Sequence, residues 1–151
     1  MLPDNRYAVF KHTEPDFLSV KFSGLLPSVE AFASYLQEFT QRLENTEKPL
    51  FTVLDSTHAC YITDEMCYLQ ANWIKQNKKL LLAKVVFTIF IIPDSIQKLL
   101  FFKINNLQQM PVPFKIFSGH AEANTYLQAN KVKVENDWKV KPGALIESLG
   151  L

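Results

Sequence analysis

The fold of this chain is decided by residues 50–66, LFTVLDSTHACYITDEM, which contain a strand pattern, a polar loop and the start of a helix. The apolar run Leu50–Leu54 ends at the polar residues Asp55–His58, and Thr63 then precedes two acidic residues, as at a capped helix start. A buried strand that opens into a polar turn is where α/β proteins usually place their binding sites. This stretch therefore supplies both the strongest fold signal and the main candidate site.

Upstream of this stretch the pattern predicts a β-hairpin followed by a helix. Strands are indicated at Tyr7–Phe10 and Phe17–Phe22, with turn-forming residues at Glu14–Asp16 between them. A helix begins near Pro27 and Ser28, because Pro is favoured in the first turn and Ser at the cap. Its apolar residues recur at helical spacing and are Val29, Phe32, Ala33, Leu36, Phe39 and Leu43.

Downstream the pattern alternates helices with strands. The elements are a helix from Thr63 to the lysines Lys75, Lys78 and Lys79, a strand at Leu80–Ile92, a helix capped by Asp94 or Ser95, a strand at Phe114–Phe117 and a helix after His120. The run Leu80–Ile92 is assigned to a buried strand because it is rich in Val, Ile, Phe and Leu and stops at a proline. The whole order predicts an α/β fold: an N-terminal β-hairpin, then alternating β-α units, forming a largely parallel sheet of four to five strands covered by helices.

Length and charge limit the classes of protein to consider. We expect one domain in residues 1–130 and a C-terminal tail at 131–151, in which Trp138 is a candidate to dock on the domain. A formal charge of +1 argues against nucleic-acid binding. The longest apolar run has about 13 residues, fewer than the roughly 20 that span a bilayer, so no membrane span is predicted. Two cysteines and a start without a secretory pattern favour a cytoplasmic protein.

Several short motifs occur in a fixed order along the chain. They are a strand ending in Gly before a Pro-opened helix at Gly24–Phe32, a strand ending in Asp at Val53–Asp55, an Ile-Thr helix opening at Ile62–Glu65, and Pro111–Phe117 followed by Glu122–Leu127. Together, across about residues 7–130, they resemble the STAS-like proteins of the SpoIIAA-like (STAS/SEC14-type) group. The resemblance implies that fold and, as in the better-known members, a non-enzymatic role in regulatory protein interaction.

The chain departs from that group at one functional motif. Members that act as anti-sigma-factor antagonists carry an Asp-Ser-Ser-Gly-type motif with a phosphorylatable Ser at this helix start. Here Thr63 keeps a hydroxyl, but Asp64 and Glu65 follow it. Two carboxylates would repel a phosphoryl group unless a cation lay between them. The sequence therefore favours a capping role for Thr63 over a phosphorylation switch.

Catalysis and metal binding are weighed at the same loop. Residues Asp55–His58 offer a Ser/His/Asp set, but adjacent residues seldom reach triad geometry, and no Gly-x-Ser-x-Gly elbow is present. The spacing of His58, Cys60 and Cys67 matches no zinc pattern, and a fourth ligand such as His120 would come from a distant loop. We therefore expect no catalytic residue, metal or cofactor, and a polar turn is the favoured interpretation.

We expect a non-enzymatic module that binds a protein partner or a second copy of itself. The candidate contact residues are Asp55, Ser56, Thr57, His58, Thr63, Asp64, Phe101 and Phe102. Because neighbouring residues on a helix point in different directions, one of the two phenylalanines should be exposed. An alternative is a binding protein for an apolar or lipid-like small molecule. An enzyme is the third hypothesis and requires His58 or His120 in a cleft beside a second polar group.

Overall fold

A five-stranded sheet forms the centre of the domain in a computed structural model, which describes residues 6–14 and 17–129. The strands are β1 (Ala8–Glu14), β2 (Phe17–Phe22), β3 (Leu50–Asp55), β4 (Val85–Ile91) and β5 (Phe114–Phe117). The helices are α1 (Val29–Asn45), α2 (Asp64–Gln76), α3 (Lys78–Lys84), α4 (Ser95–Leu107) and α5 (residues 120–129). The predicted α/β class is therefore confirmed.

The strands lie in the order β1-β2-β3-β4-β5, with β1 antiparallel to β2 and all other neighbours parallel. The chain steps across the sheet in one direction from β2 to β5. Right-handed crossovers then place α1, α2, α3 and α4 on the same side of the sheet, which we call the helix face. The carboxyl ends of β2 to β5 meet at one edge, which we call the carboxyl edge.

Residues alternate along each strand between the helix face and the opposite α5 face. The helix face receives an apolar cluster that includes Leu18 and Val20 of β2, together with Phe32, Phe39 and Trp73 from the helices. Two polar links join α1 to α2 above it: the Trp73 indole donates to Thr40 Oγ1 (2.8 Å) and the Tyr35 hydroxyl donates to Gln70 Oε1 (3.0 Å). These links satisfy the polar tips of two otherwise buried aromatic rings.

The α5 face carries a second, separate apolar cluster. Its buried members are Phe17, Phe51, Val86, Phe87, Ile89, Ile91 and Ala123. Ala123 belongs to α5, and the half-buried Tyr126 and Leu127 of the same helix pack against this cluster. The apolar side of α5 therefore faces the sheet.

The boundary between α2 and β4 differs from the prediction. Residues Leu80–Lys84 were assigned to a strand, but Lys78–Lys84 form α3 and the strand covers only Val85–Ile91. A short apolar run has no periodicity that separates helix from strand. The intrinsic helix and strand preferences of the residues set this boundary. The first half of the run is rich in Leu, Ala and Lys, which favour a helix, whereas Val, Ile, Phe and Thr, which favour a strand, dominate the second half. Lys78 and Lys79 therefore begin α3 rather than end α2.

Side-chain caps start three of the helices as the sequence indicates. Ser28, Thr63 and Asp94 accept hydrogen bonds from Ala31 N (3.1 Å), Met66 N (3.3 Å) and Ile96 N (2.7 Å) respectively. β1 extends to Glu14, beyond the predicted strand end at Phe10. Part of the predicted turn, and the predicted tail at 131–151, lie outside the described residues.

Candidate functional site

The loops at the carboxyl edge are tied to one another by side-chain hydrogen bonds. Cys60 Sγ donates to Gly24 O (2.7 Å), which joins the loop after β3 to the loop after β2. Tyr61 donates its hydroxyl hydrogen to Asp94 Oδ2 (2.6 Å), which joins the β3 loop to the start of α4. The edge is therefore one connected surface rather than four independent loops.

Asp55 at the end of β3 is the most buried polar group of this edge, with 6% of its surface exposed. Its Oδ1 accepts hydrogen bonds from the backbone N–H (2.9 Å) and the hydroxyl (2.5 Å) of Thr57. Its Oδ2 lies 2.5 Å from Nε2 of His120. Burial raises the pKa of Asp55, but the bonds from Thr57 and His120 outweigh it and hold the pKa below its usual value. Asp55 is therefore a buried carboxylate that is fully hydrogen-bonded.

The contact between Asp55 and His120 orients the imidazole. Since the carboxylate accepts, Nε2 is the donor and Nδ1 faces away from it. The His120 side chain is 54% exposed, and within the described residues no hydroxyl or thiol is hydrogen-bonded to it. The pair therefore has the orienting half of a hydrolase triad and lacks its nucleophile.

The other loop residues of the predicted site separate into different environments. Ser56 lies on the wall of an internal cavity, and Thr57 is bound to Asp55. His58 is exposed, and its side chain has no hydrogen bond within the described part of the chain. His120 was weighed from the sequence only as a distant metal ligand or catalytic histidine. The signal that could have found its pairing is that β3 and β5 end at the same edge of a parallel sheet.

The helix start at Thr63 combines a cap with an ion pair. The Thr63 hydroxyl accepts from Met66 N, as at an ordinary N-cap. The carboxylate of Asp64 contacts the ammonium of Lys103 on α4, and this contact raises the pKa of Lys103. The sequence did not indicate this cation. The ion pair between Asp64 and Lys103 brings the predicted contact residues of α2 and α4 close to one another.

The two phenylalanines of α4 point in different directions, as expected. Phe101 packs on Phe90 (4.7 Å between ring centroids) and on Phe114 (5.4 Å), and lines the internal cavity. Phe102 is 48% exposed. Phe102 is thus available on the surface, whereas Phe101 belongs to the interior.

The cavity lies between the helix face and helices α1, α2 and α4, is partly open to solvent, and has a volume of about 120 Å³. Aromatic and aliphatic side chains form most of its wall, among them Tyr7, Phe32, Trp73, Phe90, Phe101 and Ile104. A few uncharged polar residues complete it, namely Thr52, Ser56, Gln70, Gln97, Asn105 and Gln108. Among the described residues, the wall contains no charged side chain. Such a cavity suits a neutral, apolar occupant.

The surface of the carboxyl edge is unusually apolar. Leu25 (49% exposed), Leu26 (63%), Val29 (38%) and Tyr61 (46%) lie on the loops after β2 and β3 and on the first turn of α1. The hydrogen bond between Cys60 and Gly24 holds these two loops together. We call these four residues the carboxyl-edge patch.

Residues 6–14 and 17–129 contain no group of three or more His, Cys, Asp or Glu side chains placed to hold a metal ion. No helix in that part of the chain is both long and apolar enough to cross a bilayer.

Comparisons with known proteins identify the fold. No protein-family model matches the chain, and no curated protein does. A solved structure from Shewanella loihica PV-4, described as an uncharacterized protein from the DUF3478 family with a SpoIIAA-like fold, is similar with a TM-score of 0.54. It is 17% identical, and the match covers 84% of this chain and 99% of that one. The resemblance drawn from the sequence is therefore confirmed for the fold.

Proposed function

We propose that this chain is a non-enzymatic protein-interaction module whose partner, another protein or a second copy of the chain, binds the carboxyl-edge patch. The observation that carries the proposal is the exposure of Leu25, Leu26, Val29 and Tyr61 on connected loops. Large apolar residues that are exposed on adjoining loops are typical of an interaction surface.

The surroundings of the patch also suit a protein interface. Tyr61 presents an aromatic ring whose hydroxyl is already bound to Asp94, and aromatic residues are enriched at interface centres. His58, His120 and the pair formed by Asp64 and Lys103 are exposed polar groups of the same edge or its neighbourhood. A polar rim around an apolar centre is the usual arrangement of such surfaces.

A charge placed in the patch should abolish the interaction. Leu26→Asp introduces a carboxylate at a site that a partner would desolvate, whereas Leu82→Asp on α3 makes the same change at a similarly exposed leucine (54%) at the opposite end of the sheet. Self-association is measured by sedimentation of the purified chains, and other partners by affinity capture from the native host. We expect Leu26→Asp to lose the partner and Leu82→Asp to keep it. If Leu26→Asp keeps every partner and the same oligomeric state, the patch is not the binding surface.

A second candidate function, binding of an apolar small molecule, is favoured by the cavity. A void in a protein core destabilises it by about 24 cal/mol per Å³. Here apolar walls surround a volume of about 120 Å³ that the side chains of the domain leave unfilled. An occupant would fill that volume.

This second function is tested by filling the cavity. Ala59 lies on the cavity wall, so Ala59→Leu should occupy part of the volume, whereas Ala83→Leu adds the same atoms at an exposed position of α3. Native mass spectrometry of the chain purified from its host should show a co-purified small molecule with wild type and Ala83→Leu, and none with Ala59→Leu. A mass equal to that of the bare chain in all three would count against this function.

A further inference from the structure

The wall of the cavity contains two hydroxyl groups whose hydrogen-bonding capacity is not used, and they define the chemistry of an occupant. The first belongs to the pair Thr52 and Thr88, which face each other on β3 and β4. Their exposures are 1% and 0%, and their hydroxyl oxygens are 2.8 Å apart. Two O–H groups share one hydrogen bond, so one proton has no acceptor within the described residues.

Only one arrangement of this pair leaves the unused proton at the cavity. Thr52 lies on the cavity wall and Thr88 does not. When Thr88 donates to Thr52, the Thr52 hydroxyl hydrogen is free on the cavity side. A buried donor without an acceptor is costly, so an acceptor in the cavity would be strongly favoured there.

The second unused hydroxyl is that of Tyr7. Its ring is 6% exposed and packs against Phe22 and Phe32 on the cavity wall. Burial raises the pKa of this hydroxyl, and the nearby Cys60 and Cys67 add to the effect, so the group stays protonated and remains a donor. Tyr35, by contrast, donates to Gln70, whereas Tyr7 has no such partner among the described residues.

The size of the cavity and the lack of charge on its described wall residues further limit the class of ligand that it can bind. A cavity of about 150 Å³ lined by Leu, Ile and Phe binds benzene, so about 120 Å³ suits no more than a single ring, and a short substituent would have to lie towards the opening of the cavity. A long acyl chain exceeds this volume. A charged ligand would meet no counter-charge, because every wall residue is neutral.

We propose that the cavity binds a small, neutral aromatic molecule whose oxygen accepts a hydrogen bond from Thr52 or from Tyr7. This inference rests on the second function proposed above and names its ligand class. It differs from a lipid-binding role because size and the two donors, rather than apolarity alone, select the ligand.

The test compares two probes of equal size with the full-length chain. Anisole and ethylbenzene differ only by an ether oxygen in place of a methylene group. In a purely apolar cavity ethylbenzene binds at least as well, because anisole loses the hydration of its oxygen. With a donor available, we expect anisole to bind about fivefold more tightly by calorimetry, the ratio that one neutral hydrogen bond supplies. Benzoate and octanoate should show no binding.

Two variants test whether the preference for anisole over ethylbenzene depends on these hydroxyl groups. Tyr7→Phe removes one donor, and the double change Thr52→Val with Thr88→Val removes the other pair while keeping the β-branched shape. At least one of them should bring the anisole to ethylbenzene ratio to about one, with ethylbenzene affinity retained. Tyr7→Phe, which deletes an unpartnered atom, keeps the test valid if the double variant fails to fold.

The outcomes separate the inference from the function on which it rests. If ethylbenzene binds wild type as tightly as anisole, or if both variants keep the preference, the ligand class is wrong while cavity binding still stands. If neither ring compound binds wild type, and native mass spectrometry shows no small molecule that co-purifies with wild type, the small-molecule function fails as well.

Discussion

The two faces of the sheet differ in how closely their side chains pack and in how completely their buried polar groups are hydrogen-bonded. On the α5 face, Phe87, Ile89 and Ala123 are at most 1% exposed, and the polar pair at its margin, Asp55 with His120, is hydrogen-bonded. On the helix face, a cavity of about 120 Å³ remains, and among the described residues the Tyr7 hydroxyl and one hydroxyl hydrogen of the Thr52 and Thr88 pair have no hydrogen-bond acceptor. Close packing with satisfied polar groups is what stability requires, and the helix face departs from it in the way that the proposed binding of a small molecule would explain.

We expect the largest difference in the free energy of unfolding when one phenylalanine ring is removed from each face. Phe87→Ala deletes a ring that is 1% exposed, and we expect a loss of about 3–5 kcal/mol in the free energy of unfolding. Phe101→Ala should cost only about 1–2 kcal/mol, because that ring is half-buried and adjoins an existing void. Urea denaturation of both variants measures the difference. Equal losses would show that the helix face is as tightly packed as the α5 face.

The polar margin of the α5 face should contribute a pH-dependent share of stability. Asp55→Asn removes a carboxylate that accepts from Thr57 and His120, and we expect a loss of about 1–3 kcal/mol near neutral pH. Since the folded pKa of Asp55 lies below its usual value near 3.8, its contribution is complete above that value and is lost as the pH falls through the lowered pKa. Unfolding free energies measured from about pH 7 to about pH 2 should therefore converge for wild type and variant. A constant gap at every pH would contradict the role of the charge.

Adding volume should have opposite consequences on the two faces. Ala123→Leu forces extra atoms into the packed cluster beneath α5, so we expect a loss of about 1–3 kcal/mol. Ala59→Leu enters the cavity and should leave the free energy of unfolding unchanged or raise it by up to about 1 kcal/mol. Thermal and urea unfolding of the two variants provide the comparison. Similar destabilisation by both changes would indicate that the cavity cannot accept side-chain atoms.

We expect the smallest difference in the free energy of unfolding between variants of two tyrosines of the helix face. Tyr35→Phe removes the hydrogen bond to Gln70 and should cost about 1 kcal/mol. Tyr7→Phe removes a hydroxyl without a partner, and we expect between no change and a gain of about 1 kcal/mol in the absence of ligand. Denaturation curves collected side by side resolve the difference. A loss at Tyr7 equal to that at Tyr35 would show that its hydroxyl is already satisfied.

Local sequence signals predicted most elements of this fold well and some of their boundaries poorly. The caps at Ser28, Thr63 and Asp94 depend on contacts within a few residues, so they were visible in the chain. The strand assignment at Leu80–Lys84 was wrong because a continuous apolar run carries no periodicity.

The candidate site was predicted in part. The polar loop after β3 does lie at the carboxyl edge, beside the α4 residues that the sequence also singled out. The pairing of Asp55 with His120, and of Asp64 with Lys103, could not be predicted, since these residues are far apart in the chain. The binding roles assigned to these residues remain predictions.

The sequence by itself determined the α/β class, the order of most elements and the helix caps, because periodicity and capping act over a few residues. Only the tertiary structure decided which face is filled and which holds a cavity, which of Phe101 and Phe102 is exposed, and which buried hydroxyls lack partners. Those properties depend on how several distant elements fill a shared volume, and no local pattern encodes that volume.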